Sequence, residues 1–99
     1  MRSLKAEYAI KAIRFTSQYP AVHGKPIRIG HPEMIGITDI DKPIQSLSQT
    51  RLLDDELAVF WVCGVTSQLA VEQAKLPLCL THASAHMLIT DIRLDQLKK

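Results

Sequence analysis

The chain has 99 residues, of which 46% are hydrophobic and 22% are charged, and its formal net charge is +2 at pH 7. This length allows one domain at most, which we expect to span residues 1–99, and the composition is that of an ordinary globular protein. No basic stretch is interleaved with aromatic residues, and no apolar run approaches the ~20 residues of a membrane span, so nucleic-acid and membrane partners are disfavoured.

The first predicted element is a helix from Leu4 to Gln18, with Ser3 as its cap. Tyr19 and Pro20 end it, because the residue before a proline is pushed out of the α region. Apolar side chains cover a broad arc of this helix, and its polar strip consists of Glu7, Lys11, Arg14 and Gln18. A helix this apolar needs a sheet beneath it and a partner beside it. We therefore expect a homo-oligomer or a partner chain to cover it.

The region between this helix and residue 56 is rich in turn-forming residues. Glycine and proline punctuate residues 21–42, where we predict a short strand over Ile27–Ile29 and at most one helical turn over Pro32–Ile35. The polar stretch Pro43–Thr50 is predicted to be a surface loop, and the acidic residues Asp54–Glu56 lead into the next strand.

Residues Leu57–Cys63 are apolar at every position, which is typical of a strand buried on both faces of a parallel sheet. Gly64 ends this strand, and a short helix is predicted from Ser67 to Lys75. Two further strands are predicted, Leu78–His82 and Met87–Asp91, with a tight turn between them. The expected fold class is therefore α/β, with a mixed β-sheet containing a right-handed βαβ crossover and a C-terminal β-hairpin, and with the helices packed on the sheet.

In such a sheet, the turn after Cys63 and the turn between the last two strands lie at one edge, where α/β sheets place their ligands. The first turn feeds the amino end of a helix, whose N–H groups and dipole suit a carboxylate or a phosphate. Gly64 allows the bend, and Thr66 or Ser67 can cap the helix. The alternative is a purely structural turn, since any strand-to-helix connection needs a flexible residue and a cap.

The second turn contains two histidines, His82 and His86, and histidine is the natural proton-transfer group near neutral pH. Cys63 precedes the helix and is either an activated thiolate or an inert core thiol, of which we favour the second. Cys63 and Cys79 both lie in apolar runs, as buried thiols of a reducing compartment do, so we expect a cytoplasmic protein. A zinc site is disfavoured, because Cys79 and His82 would point to opposite faces of a strand.

Several blocks of this sequence resemble the C-terminal part of the D-glutamate cyclase family, whose members are hydro-lyases. The similarity begins in the first helix and continues, in chain order, through Tyr19–Gly24, Ile27–Gly30, Ile35–Ile37, Val59–Thr66, Thr81–Ala83 and His86–Asp91. The resemblance implies a mixed α/β fold and the reversible dehydration of D-glutamate to 5-oxo-D-proline.

That reaction needs a base to free the α-amine, an acid to help hydroxide leave the γ-carboxyl carbon, and an anchor for the α-carboxylate. From residue chemistry within the similar blocks, we assign proton transfer to His82 and His86. We assign substrate binding to the first turn, with residues Cys63, Gly64, Thr66, Ser67 and Gln68. The expected partner is a small amino-acid or carboxylate substrate, and we expect neither a metal nor a cofactor.

The sequence departs from the family pattern in three respects. A larger N-terminal portion of the family has no counterpart here, and the family has proline at the position of Ser67 and Pro-Gly at Ser84-Ala85. An acidic, glycine-containing family motif is replaced by Ile44–Leu47. Three hypotheses therefore stay open: a hydro-lyase, complete or assembled with a partner chain; a non-catalytic, truncated family member; and an interaction module that docks through its first helix.

Overall fold

The computed structural model describes residues 1–43, 51–83 and 86–99. Its helices and strands, in chain order, are β1 (Arg2–Lys5), α1 (Ala6–Thr16), β2 (Arg28–Ile29), β3 (Glu56–Phe60) and α2 (Gly64–Ala74). Two 3-10 turns lie at Pro32–Ile35 and Leu94–Leu97. The predicted α/β class is confirmed, whereas most of the predicted loop Pro43–Thr50 lies outside the described residues.

The three strands form one antiparallel sheet in the order β1-β3-β2, so β3 is central. Ser3 lies opposite Ala58, and Ile29 lies opposite Val59. The prediction of a parallel environment for β3 is therefore wrong. A continuous apolar run indicates that a strand is buried. A central antiparallel strand covered by a helix is buried as well as a parallel strand is, so the run does not fix the strand direction.

The first four residues of the sheet, Arg2–Lys5, were expected partly within a helix but form strand β1. Two contacts with the start of β3 hold them there: the Ser3 hydroxyl donates to the Glu56 carboxylate, and Lys5 Nζ lies 2.9 Å from an Asp55 carboxylate oxygen. Pairing with β3 thus overrides the local helical pattern, and α1 begins two residues later than predicted.

The core of the described structure lies between β3 and α1. Ala58, Val59 and Phe60 are almost completely buried, and Val59 has no exposed surface. Ala9 is the buried residue of α1, and Trp61 Nε1 donates a 3.3 Å hydrogen bond to Thr16 Oγ1 near the end of that helix. The helix therefore packs on the sheet, as expected, but through a narrow contact.

Much of the apolar surface of α1 stays exposed. Tyr8 is 50% exposed, Ile10 61% and Phe15 59%. The second helix, α2, was predicted to begin at Ser67 and to pack on the sheet. It begins at Gly64, and none of its residues is buried. Only α1 is thus seated on the sheet by a buried side chain.

The chain after α2 does not form the two strands that its apolar pattern predicts. The described residues of Leu78–His82 and Met87–Asp91 contain no strand, and Leu80 and Ile89 are each 89% exposed. The predicted crossover and C-terminal hairpin are therefore absent from the described part of the chain. Apolar stretches form strands only where a neighbouring strand and a covering layer are present. Residues 84 and 85, at the centre of the predicted turn, lie outside the described residues.

Candidate functional site

The bend before α2 is organised by a reciprocal cap. Cys63 has an extended backbone and is the N-cap residue of α2, and its sulfur accepts a hydrogen bond from the backbone N–H of Thr66. In return, the Cys63 N–H donates to Thr66 Oγ1 at 3.3 Å. This arrangement satisfies donors that a helix terminus otherwise leaves unpaired. The predicted capping role belongs to Cys63 and Thr66, while Ser67 lies exposed on the first turn of the helix.

The environment of the Cys63 thiol shifts its pKa. Partial burial raises the pKa, but hydrogen bonds from the backbone N–H groups of Thr66 and Val65, and from the Thr66 hydroxyl, lower it. The net pKa is below the ordinary value, so more thiolate is present near neutral pH than for a free cysteine. The prediction that Cys63 is an inert core thiol is wrong. Strand β3 ends at Phe60, before Cys63, and Cys63 is only half-buried.

The His82 imidazole lies directly against the start of α2. A Cβ added at Gly64 would stand 3.1 Å from His82 Nε2 and 3.2 Å from His82 Cε1, which is closer than most real Cβ contacts. The absence of a side chain at Gly64 therefore lets the ring approach the helix. The two predicted turns contribute to one surface, although no strand leads into the second turn.

Two hydrogen bonds fix the position and the tautomer of His82. Gln68 Nε2 donates to the His82 carbonyl at 3.0 Å, which ties this residue to the second turn of α2. His82 Nδ1 lies 2.9 Å from the Ala83 carbonyl oxygen. A carbonyl only accepts, so Nδ1 is the protonated nitrogen, and in the neutral ring Nε2 is free of a proton and able to take one.

His86, the second predicted catalytic histidine, is connected to the same carbonyl group. Its backbone N–H donates to the Ala83 oxygen at 3.1 Å, and its side chain is exposed. The Ala83 carbonyl thus joins the ring of His82 to the backbone of His86. The structure brings His82 into contact with Gly64 and Gln68. It connects His86 to this group through the hydrogen bond from the His86 backbone N–H to the Ala83 carbonyl.

Two features of the site were not anticipated from the sequence. Ala83 orients the His82 ring through its carbonyl, and backbone groups leave no residue-type signal. Gln68, which is predicted to bind substrate, also tethers His82, and its position four residues after Gly64 on the same helix face was the available clue to this contact.

The site is an open surface. His82 and Ser67 are both exposed, and two shallow depressions of the described surface lie elsewhere, one beside residues 25–29 and the other on α1. Within the described ranges, no group of three His, Cys, Asp or Glu residues could hold a metal ion. The helices of the described part of the chain are also too short or too polar to cross a membrane.

Comparison with known proteins gives a consistent match. The sequence model of the D-glutamate cyclase family matches residues 1–91. Three of the most similar curated proteins, each named "Putative hydro-lyase", come from Methylobacterium radiotolerans (52% identity), Paraburkholderia phytofirmans (51%) and Bradyrhizobium diazoefficiens (48%). The matches cover 93–94% of this chain but 34–35% of those proteins, so the chain spans about a third of their length. No solved structure matches this chain significantly.

Proposed function

Because this chain belongs to the D-glutamate cyclase family, we propose that it supplies the proton-transfer part of a hydro-lyase that converts D-glutamate to 5-oxo-D-proline and water. The observation that supports this most is the contact between the unprotonated side of the His82 ring and the amino end of α2. A base beside a helix terminus suits a substrate with an ammonium group next to a carboxylate.

In the proposed mechanism, His82 Nε2 accepts a proton from the substrate ammonium group. The freed amine attacks the γ-carboxyl carbon, a new C–N bond closes the five-membered ring, and one carboxyl oxygen leaves as water. After the C–N bond forms, the nitrogen gives up a second proton. His82 and His86 relay both protons to the leaving carboxyl oxygen, which departs as water, so the histidines end in their starting state. Proton transfer by a positioned side chain contributes roughly 10²- to 10⁴-fold to a rate.

The amino end of α2 is the proposed anchor for the α-carboxylate. The positive end of the helix dipole favours an anion there. Gly64 and Gln68 contact His82, and Ser67 is exposed on the first turn of the same helix. The Cys63 sulfur already accepts hydrogen bonds from Val65 and Thr66, so it competes with the substrate for this position when it is a thiolate. Carboxylate binding should therefore weaken as the pH rises through the Cys63 pKa.

The experiment is NMR of the purified chain with D-glutamate or 5-oxo-D-proline. We expect interconversion, or shift changes at His82 and the first turn of α2, and a His82→Ala variant should lose conversion at least 100-fold. His23→Ala is the matched control, since His23 is an exposed histidine in a different turn. Absence of both conversion and binding at millimolar ligand would reject the proposal, and unreduced turnover in His82→Ala would reject the assigned role.

A second candidate is an interaction module without catalytic activity, which the exposed apolar residues of α1 favour. In this case a second copy or a partner chain covers Ile10 and Phe15, which are 61% and 59% exposed.

The free thiols of Cys63 and Cys79 support the further proposal of a cytoplasmic location. Cys79 is exposed and was expected to be buried, so its thiol is the more accessible of the two.

A further inference from the structure

The most exposed apolar residues of the described chain lie in one stretch after α2, which we call the apolar C-terminal segment (residues 76–83 and 86–92). Leu78 is 77% exposed, Leu80 89%, Met87 86%, Leu88 78% and Ile89 89%. A soluble monomer rarely leaves so many large apolar side chains open in succession, and such a surface marks an interaction site.

The sequence and backbone of this segment indicate how it is covered. Leu78–Leu80 and Met87–Ile89 have the apolar, strand-forming pattern of buried strands, yet the described residues are not paired with any strand. Met87, Leu88 and Ile89 are consecutive, so both faces of an extended backbone there are apolar. Covering them requires a strand neighbour and apolar layers on both sides.

The comparisons with relatives indicate what can supply this cover. The family match extends through residue 91, so the segment belongs to the shared region and is not an unrelated tail. In the relatives the same region is about a third of the chain and is joined to roughly twice its own length of further polypeptide. A second copy of this chain would bring the same segment, which itself needs a strand neighbour and apolar cover on both faces.

We propose that the apolar C-terminal segment docks onto a polypeptide equivalent to the remaining two thirds of the family chain, and that its two apolar stretches become strands in that complex. His82 lies at the end of the first stretch, so the docked polypeptide would form a wall of the open site described above. This interface goes beyond the proposed function and does not depend on it.

The test is co-expression of the full chain with a tagged fragment of the Paraburkholderia phytofirmans relative that omits the matched region. We expect a one-to-one complex that Leu80→Ser and Ile89→Ser each weaken at least tenfold. Leu94→Ser is the control, because Leu94 is 57% exposed but lies outside the family match. The two test residues contribute almost nothing to the core, so circular dichroism should show unchanged folding in all three variants.

A second measurement uses a full-length relative in which this chain replaces the matched region. Hydrogen exchange at residues 78–81 and 86–89 should be at least tenfold slower there than in the chain alone. Equal exchange in both proteins, or equal binding by all three variants, would overturn the proposal. Self-association of the chain that depends on Leu80 and Ile89 would assign the surface to a second copy and would overturn it also.

Discussion

At the scale of single residues, the candidate site depends on the glycine at position 64, which has no side chain. Gly64 has no Cβ, and the His82 ring lies so close that an added Cβ would stand 3.1 Å from its Nε2. The Gln68 and Ala83 hydrogen bonds then hold His82 with Nε2 unprotonated in its neutral form. The lack of a side chain at Gly64, at the start of α2, therefore allows the position that the proposed base His82 takes.

Replacing Gly64 with alanine should move His82 without unfolding the protein. The new Cβ would lie 3.1 Å from Nε2, so the ring must shift, while alanine favours a helix over glycine by up to about 1 kcal/mol in helix interiors. We expect altered His82 imidazole NMR shifts and an undiminished melting temperature. Ser67→Ala is the control on the same turn, and unchanged His82 shifts in Gly64→Ala would contradict the contact.

The Cys63 thiol gives a pH-dependent prediction at the same scale. Its pKa is lowered from 9.0, so the thiolate fraction near pH 7 is higher than in the unfolded chain. Thr66→Val removes the hydroxyl that donates to the sulfur, which should raise the pKa and slow alkylation of Cys63 by iodoacetamide at pH 7. The rates of the two proteins should converge above pH 9, where both thiols are ionised; a rate difference that persists there would point to altered access.

The lowered Cys63 pKa also couples to stability. The unfolded chain binds more protons between the folded and unfolded pKa values, so the free energy of unfolding should rise with pH up to about 9 and lose this contribution below the folded pKa. Denaturation of wild type and Cys63→Ser across this range is the measurement. An identical pH dependence in both proteins would show that the thiol is not the cause.

At the scale of elements, the described structure depends on β3. It pairs with β1 on one side and β2 on the other, and it supplies three of the four buried hydrophobic residues of the core. The Ile27 and Gly30 N–H groups donate to the Phe60 and Ala58 carbonyls at 2.9 and 2.8 Å, which extends this pairing beyond β2 itself. Stability should therefore be concentrated in this strand.

Val59→Ala should cost about 2 kcal/mol of unfolding free energy, from two lost buried methyl groups and the cavity that remains. Leu80→Ala is the matched control, because Leu80 is 89% exposed and its truncation should change stability by about 0.5 kcal/mol at most. Chemical denaturation measures both values. Equal losses would mean that Leu80 is buried in the protein in solution.

At the scale of the whole molecule, the residues that the structure describes bury little of their apolar surface. Among them, four buried hydrophobic residues are accompanied by many exposed large ones, both on α1 and in the apolar C-terminal segment. A domain with a small core is only marginally stable by itself. Association should therefore contribute a substantial part of the stability of this protein.

We expect the purified chain alone to self-associate through α1 at micromolar concentration. Ile10→Glu should shift the sedimentation profile towards monomer, because it places a charge in the apolar face without disturbing a buried residue. Lys11→Glu changes the charge of the neighbouring position and controls for electrostatic effects alone. A strictly monomeric wild-type protein would contradict this expectation.

Much of the local structure follows from the sequence by itself. Its apolar run locates the buried centre of the sheet, Ala58–Phe60, and its turn and helix signals locate α1, α2 and the bend at Gly64 within a few residues. The residue blocks also identify the family. These features depend on burial and on local backbone preference, which short stretches of sequence express directly.

Only the tertiary structure decided the direction of the strands, the pairing of Arg2–Lys5 with β3, and the exposure of the segment after α2. It also decided the contact between Gly64 and His82, which are 18 positions apart. Each of these depends on which distant part of the chain is available as a neighbour. The same apolar pattern forms a strand at β3, where two partners are present, and stays unpaired at Leu78–Leu80, where the described chain provides none.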